Sequence, residues 1–280
     1  ALAEQAAAMR MNVVLADIEE NALEQAVKRI EERQVRAIGV PSNTMIEESV
    51  QALAERAFDE FGQVHLLCNN AGVASTATAG KAVWEVPDQD WDWVMGVNLG
   101  GVVNGIQTFV NRLKAHGEGG HIVNTSSMAG VMTSPGLGVY NASKFAVVGM
   151  SEALRTDLEP FDIGVSVLCP GMVRTQILDS ERTRPDQFEV NEASANEAAQ
   201  AHSEMMNLAM NAGIEPSEVA DLVVQGIKEN QLYLFPHPEM KEAVVARMTA
   251  LAESFGEADP ERLKAQQEFM ADLLRATTES

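Results

Sequence analysis

The feature that most limits what this chain can become is a regular alternation of short, mostly apolar runs with longer amphipathic stretches. Runs of four to six residues occur at Val13–Ala16, Val35–Val40, Val64–Cys68, His121–Thr125, Gly164–Cys169 and Gln231–Phe235. Between them, helical periodicity is read over about 20–33, 46–61, 88–115, 140–159 and 216–229, with a helical piece at 1–9. Strands buried on both faces read as continuous apolar runs, and this alternation gives a parallel sheet covered by helices on both sides. The expectation is one doubly wound α/β domain over 1–236. It carries a polar, Met-containing insertion at 174–215 and a charged helical extension at 237–280 broken around Gly256–Pro260.

Composition removes several functions. The 280 residues are 46% apolar and 22% charged, as in a globular protein with a sizeable core. With 41 acidic against 20 basic side chains the net charge is −21, which argues against nucleic acid or an anionic membrane as partner. Cys68 and Cys169 each sit in an apolar run without CxxC spacing, so both read as buried, reduced thiols. No run approaches the roughly 18–20 apolar residues of a membrane span, and the Ala-rich start lacks an export-signal layout. A cytoplasmic protein is expected. His65, His116, His121, His202 and His237 show no metal-ligand spacing, so no metal and no catalytic histidine is expected.

The strongest chemical signal is Tyr140-Asn141-Ala142-Ser143-Lys144. Residues four apart on a helix share a face, so the lysine ammonium and the phenol lie about one turn apart. That charge would lower the phenol pKa and make it a usable proton donor and acceptor. Asn124-Thr125-Ser126-Ser127 closes a predicted strand, where an open α/β sheet places its ligands, and Ser127 lies 13 residues before Tyr140. Its hydroxyl could bond the oxygen that Tyr140 protonates.

Ser127, the Tyr-x-x-x-Lys spacing, Asn69-Asn70-Ala71-Gly72 and Pro170-Gly171, in this order, resemble the short-chain dehydrogenase/reductase family from residue 1 to about 236. The resemblance implies a Rossmann-like three-layer α/β/α fold and hydride transfer between NAD and a secondary alcohol or ketone. It implies that Tyr140 is the acid/base and that Lys144 depresses its pKa and bonds the nicotinamide ribose. Ser127 would orient the substrate oxygen, and Asn98 would help hold a water leading from the lysine to solvent. Asn70, Ala71 and Gly72 would line the adenosine side. Met172, Val173 and Thr175, following Pro170 and Gly171, would meet the nicotinamide amide, and Asn43 an adenine edge. Met128 and Met172 would line an apolar substrate site, with Ile177, Leu178, Phe188, Met205, Met206 and Met210 as further candidates from the insertion. The helices at about 88–115 and 140–159 would form a homodimer or homotetramer interface.

Asp17 ends a strand where a carboxylate can accept both ribose hydroxyls of NAD and repel the 2′-phosphate of NADP, and Glu19 and Glu20 reinforce that sign. One runner-up is an NADP-dependent 3-oxoacyl-thioester reductase, disfavoured by Asp17 and by the long tail. Another is a non-catalytic NAD-sensing or scaffold protein, disfavoured by the complete Ser127, Tyr140 and Lys144 set. The family opens with a strand and a Gly-rich turn that cradles the pyrophosphate, yet here the first glycine is Gly39. Residues 1–9 read as the remainder of the helix that follows such a turn, so a gap in the sheet is expected.

Overall fold

The computed structural model describes residues 1–78, 80–188 and 205–278. It divides into two units, Ala1–Pro238 and Glu239–Ser280. In chain order the first unit holds α1 (Leu2–Ala8), β1 (Val13–Asp17), α2 (Glu20–Glu31), β2 (Ala37–Pro41), α3 (Glu47–Phe61), β3 (Leu66–Asn69) and α4 (Asp88–Met95). It continues with α5 (Gly101–His116), β4 (Gly120–Thr125), α6 (Gly138–Leu158), β5 (Ile163–Leu168), α7 (Pro216–Lys228) and β6 (Tyr233–Leu234). The second unit is two helices, α8 (Lys241–Glu253) and α9 (Pro260–Thr278), the latter started by Asp259, whose Oδ1 accepts from the Glu261 and Arg262 amides.

All strand pairs are parallel, and among the described residues they form two groups. β1 pairs with β2, placing Val13 opposite Ala37. The other four run in the order β3-β4-β5-β6, with Val123 flanked by Cys68 and Ser166. No ladder pair among the described residues joins the two groups. Burial differs within the second group: Ile122, Val123, Val165 and Val167 are fully buried, whereas all four residues of β3 are only half-buried.

Alternating side chains build the layers. On one face Ile122 and Val165 join Val50 and Ala54 of α3, Phe109 and Leu113 of α5 and Leu158 of α6. On the other, Val123 and Leu168 meet Val219 and Val223 of α7. Helix α1 packs toward both strand groups, with Ala7 against Val13, Ile30 and Ala37, and Leu2 in the cluster around α7.

One expected element is altered. The stretch at 88–115 is not a single regular helix: α4 and α5 are joined by a π-helical turn over Gly96–Gly100, with Asn98 at its centre. Such wide turns collect at functional sites. Its residues, Gly-Val-Asn-Leu-Gly, contain no proline, and the glycines at its two ends weaken a helix without specifying a wide turn.

Candidate active site

The C-terminal ends of β3, β4 and β5 and the start of α6 bring the sequence candidates together. Beyond β4 the chain is tied to its neighbours: the Ser126 amide donates to the Leu168 carbonyl at 2.8 Å, and its hydroxyl donates to the Lys144 carbonyl at 2.8 Å. Ser127 caps a 3₁₀ turn over Met128–Gly130, its Oγ accepting from the Ala129 amide at 3.1 Å and donating to the Pro170 carbonyl at 3.3 Å. Ser127 also neighbours Tyr140, where it opposes the burial that raises the phenol pKa. Ser127 thus ties the end of β4 to the Pro170 loop.

Lys144 lies one turn beyond Tyr140 on α6 and is fully buried. Its ammonium donates to the Thr125 carbonyl at 3.1 Å and sits 5.6 Å from the centre of the Tyr140 ring. Burial pushes its pKa down to about 8, because a buried cation loses hydration. Gly72 packs closely beside it: a Cβ there would stand 3.3 Å from the Lys144 Nζ and 3.5 Å from the Asn98 Oδ1.

The sequence expectation for the phenol needs correcting. Lys144 was expected to depress the Tyr140 pKa, but in this structure that pKa is raised. Desolvation is the larger influence, and the group opposing it is Ser127. The ammonium faces the ring rather than forming a hydrogen bond to the hydroxyl, and helical spacing alone carries no information about desolvation.

Asn98 is fully buried and bonded on both sides. Its Oδ1 accepts from the Val73 amide at 2.8 Å, and its Nδ2 donates to the Val73 carbonyl at 3.0 Å and to the Ser143 Oγ at 3.1 Å. Ser143 in turn donates to the Tyr140 carbonyl at 2.8 Å. Asn98 therefore locks the segment after Gly72 onto α6, a role in which Ser143 was not foreseen.

The expected cofactor residues follow strand ends in both groups: Asp17 closes β1, Asn43 follows β2, Asn70–Gly72 follow β3 and Pro170–Thr175 follow β5. Asp17 is exposed, and its Oδ1 accepts from the Glu19 amide at 2.9 Å. Asn43 spends its Oδ1 on the Met45 amide at 3.0 Å, so its Nδ2 edge is what could serve a ligand. Asn70 and Ala71 are exposed, and the Asn70 Oδ1 accepts from the Thr125 hydroxyl at 3.0 Å. Met172 and Thr175 are exposed and Val173 is buried, while Pro170 and Gly171 are half-buried. An exposed carboxylate at the end of β1 and open backbone at Asn70–Ala71 fit a ribose and an adenosine edge. Among the described residues no strand-to-helix glycine turn offers a pyrophosphate cradle.

Of the substrate candidates, Met128 is buried and Met172 exposed; Met205 is exposed and Met210 buried. Part of the expected 174–215 insertion, residues 189–204, lies outside the described residues. The described part is held by two arginines that sequence reasoning missed. Arg182 donates from Nε and Nη2 to the two Glu19 oxygens at 3.2 and 2.8 Å, and from Nη1 to the Asp179 and Gln176 carbonyls. Arg184 pairs with Asp90 at 2.8 Å and Glu181 at 3.2 Å and lies 4.7 Å over the Trp93 ring. Ser75 donates to the same Asp90 oxygen at 2.8 Å. These partners lie up to 163 residues apart, so no local pattern announces them.

The structure also gathers His65, His116 and Glu118, whose ligating atoms lie within 4.8 Å of one another. Hydrogen bonds account for this cluster: the His116 Nε2 meets the Val64 carbonyl at 3.0 Å, its Nδ1 accepts from the Glu118 amide at 3.1 Å, and His65 meets the Glu118 carboxylate at 2.9 Å. Among the described residues no helix is long and apolar enough to cross a membrane.

Known proteins resemble this chain in sequence and fold. The short chain dehydrogenase family model matches residues 1–186. The chain is 36% identical to a C alpha-dehydrogenase of Sphingobium sp., over 89% of this chain and 80% of that protein. It is 32% identical to a CLA biosynthesis dehydrogenase/reductase of Lactiplantibacillus plantarum, over 88% of this chain and 86% of that protein. A short chain dehydrogenase/reductase from Burkholderia phymatum, solved in complex with NAD, superposes with a TM-score of 0.86 at 38% identity, covering 92% of each chain. A two-thirds family match and close agreement in fold converge on one assignment: this chain belongs to the short-chain dehydrogenase/reductase family of oxidoreductases.

Proposed function

We propose that this chain catalyses reversible oxidation of a secondary alcohol to a ketone, with NAD as its cofactor. The observation that carries the reading is the placement of Tyr140 on α6 beside Ser127, with the Lys144 ammonium one helical turn away.

In this reading Asp17 would hold the adenosine ribose, Asn70, Ala71 and Gly72 the adenosine side, and Val173 and Thr175 the nicotinamide end. A carboxylate favours two ribose hydroxyls over a 2′-phosphate, and the Glu19 amide bonded to it fixes its orientation. Bound nicotinamide supplies the hydride acceptor or donor. The chain's own residues handle the oxygen and its proton. Ser127 orients the substrate oxygen, and Tyr140 takes the hydroxyl proton in oxidation or returns it in reduction. Because burial raises the Tyr140 pKa, its phenolate needs support, which comes from the Ser127 side chain. The NAD-bound Burkholderia relative and the dehydrogenase names of the sequence relatives support this reading.

The test is Tyr140→Phe. Turnover measured by NADH absorbance with a panel of secondary alcohols is expected to fall by about 10²–10⁴-fold, while NAD affinity stays within about threefold. Retained turnover removes Tyr140 from the role. Wild-type turnover restored only with NADP would overturn the assignment of Asp17.

A further inference from the structure

The loop that leaves β5 at Pro170 has no regular structure of its own, yet its backbone is fixed at successive peptide units. The Pro170 carbonyl accepts from the Met128 amide at 2.8 Å and from the Ser127 hydroxyl at 3.3 Å. The Met172 carbonyl accepts from the Ile214 amide at 3.1 Å, and Arg174 returns a bond to the Ile214 carbonyl at 3.0 Å. The approach is close enough that a Cβ on Gly213 would lie 2.4 Å from the Met172 oxygen.

The remaining contacts come from one side chain. His237 is 6% exposed; its Nδ1 accepts from the Gly171 amide at 3.0 Å, and its Nε2 meets the Met172 carbonyl at 3.0 Å. An amide N–H needs a lone pair and a carbonyl needs a proton, so these partners define a neutral ring protonated on Nε2. A buried imidazole with both nitrogens engaged on adjacent peptide units acts as a clamp.

We propose that His237 is a positioning residue for the reaction: it holds the Gly171–Met172 backbone and, through the Pro170 carbonyl, the Ser127 hydroxyl. This rests on the proposed function, in which the loop faces the nicotinamide and Ser127 faces the substrate oxygen. His237 acts through these groups and touches no reacting atom. Misplacement of a reacting group by about 1 Å can cost on the order of 10²-fold in rate.

Three substitutions test it. His237→Leu removes both bonds; His237→Asn can keep the acceptor near Gly171, and His237→Gln the donor near Met172. For His237→Leu we expect kcat to fall by about 10- to 100-fold with NAD affinity within about threefold. His237→Asn and His237→Gln should each recover part of that loss. Amide hydrogen exchange of the protein alone gives a second readout, with residues 171–174 exchanging faster in His237→Leu than in wild type. The clamp is overturned if folded His237→Leu keeps wild-type kcat, or if all three variants lose activity equally while exchange at 171–174 is unchanged. Absence of wild-type turnover on any alcohol would count against the proposed function, and the exchange measurement would still decide whether His237 holds the loop.

Discussion

Arg182 and Arg184 stand two residues apart on the same segment, yet they secure it in opposite ways. Arg182 is about one-third exposed and so is its partner Glu19, whereas the Arg184 side chain is 5% exposed against Asp90 at 6%. The exposed pair gains little net energy, because water and salt compete for both charges and two long side chains must be ordered. The buried pair has lost its water. It holds only while each charge, the Ser75 hydroxyl and the Trp93 ring face remain in place. Identical residue types thus carry very different consequences, set by what surrounds them.

The largest expected effect breaks the buried side. Arg184→Leu strands the Asp90 carboxylate in the interior, and urea unfolding should show a loss of about 3–5 kcal/mol. Pairing it with Asp90→Leu should cost much less than the two single effects combined, since both charges then leave together. A loss below about 1 kcal/mol would place Arg184 with the exposed pair.

Lys144 sharpens the comparison, being a buried cation bonded to a carbonyl rather than to a carboxylate. Its folded pKa of about 8 lies below the usual 10.5. Below pH 8 both folded and unfolded chains hold the proton, and burial costs its full amount. Between about 8 and 10.5 the unfolded chain binds a proton that the native state has released, so this group makes stability rise with pH. Cys68 and Cys169, pushed up to about 12 by burial, act in the opposite direction above pH 9. The reference is therefore Lys144→Met, which keeps both thiols. Relative to it, wild type should gain on the order of 1–2 kcal/mol between pH 8 and 10 in urea midpoints. A flat difference would mean that Lys144 is not desolvated.

The smallest expected effect is on the exposed side. Arg182→Gln should change stability by less than about 1 kcal/mol, and the change should shrink as salt rises from 0.05 to about 1 M. A salt-independent loss above about 2 kcal/mol would show that the Glu19 pair is desolvated after all.

These contrasts also explain what could be read from residues in order. The apolar runs located every strand to within a few residues, and four-residue spacing placed Tyr140 and Lys144 on one helix. Both depend on local periodicity. The raised Tyr140 pKa depends on what folds over the phenol, which spacing does not encode. The Glu19–Arg182 pair spans the chain, and His237 was set aside for lack of metal-ligand spacing, a signal blind to a ring whose partners are backbone atoms. Ser143 lay inside the most visible motif, but its bond to Asn98 required the turn at Gly96–Gly100.

That turn has a mechanical meaning. Each residue added to or removed from a helix rotates everything beyond it by about 100°. The wide turn lets α4 aim Trp93 and Val94 at the cluster with Val73 and Val139, while α5 aims Phe109 and Leu113 at the sheet. Drawing it tight into a regular helix would swing α5 out of phase and carry Asn98 away from Val73 and Ser143. The local irregularity is the angular setting of a single rod that serves two cores and fixes the back of the site.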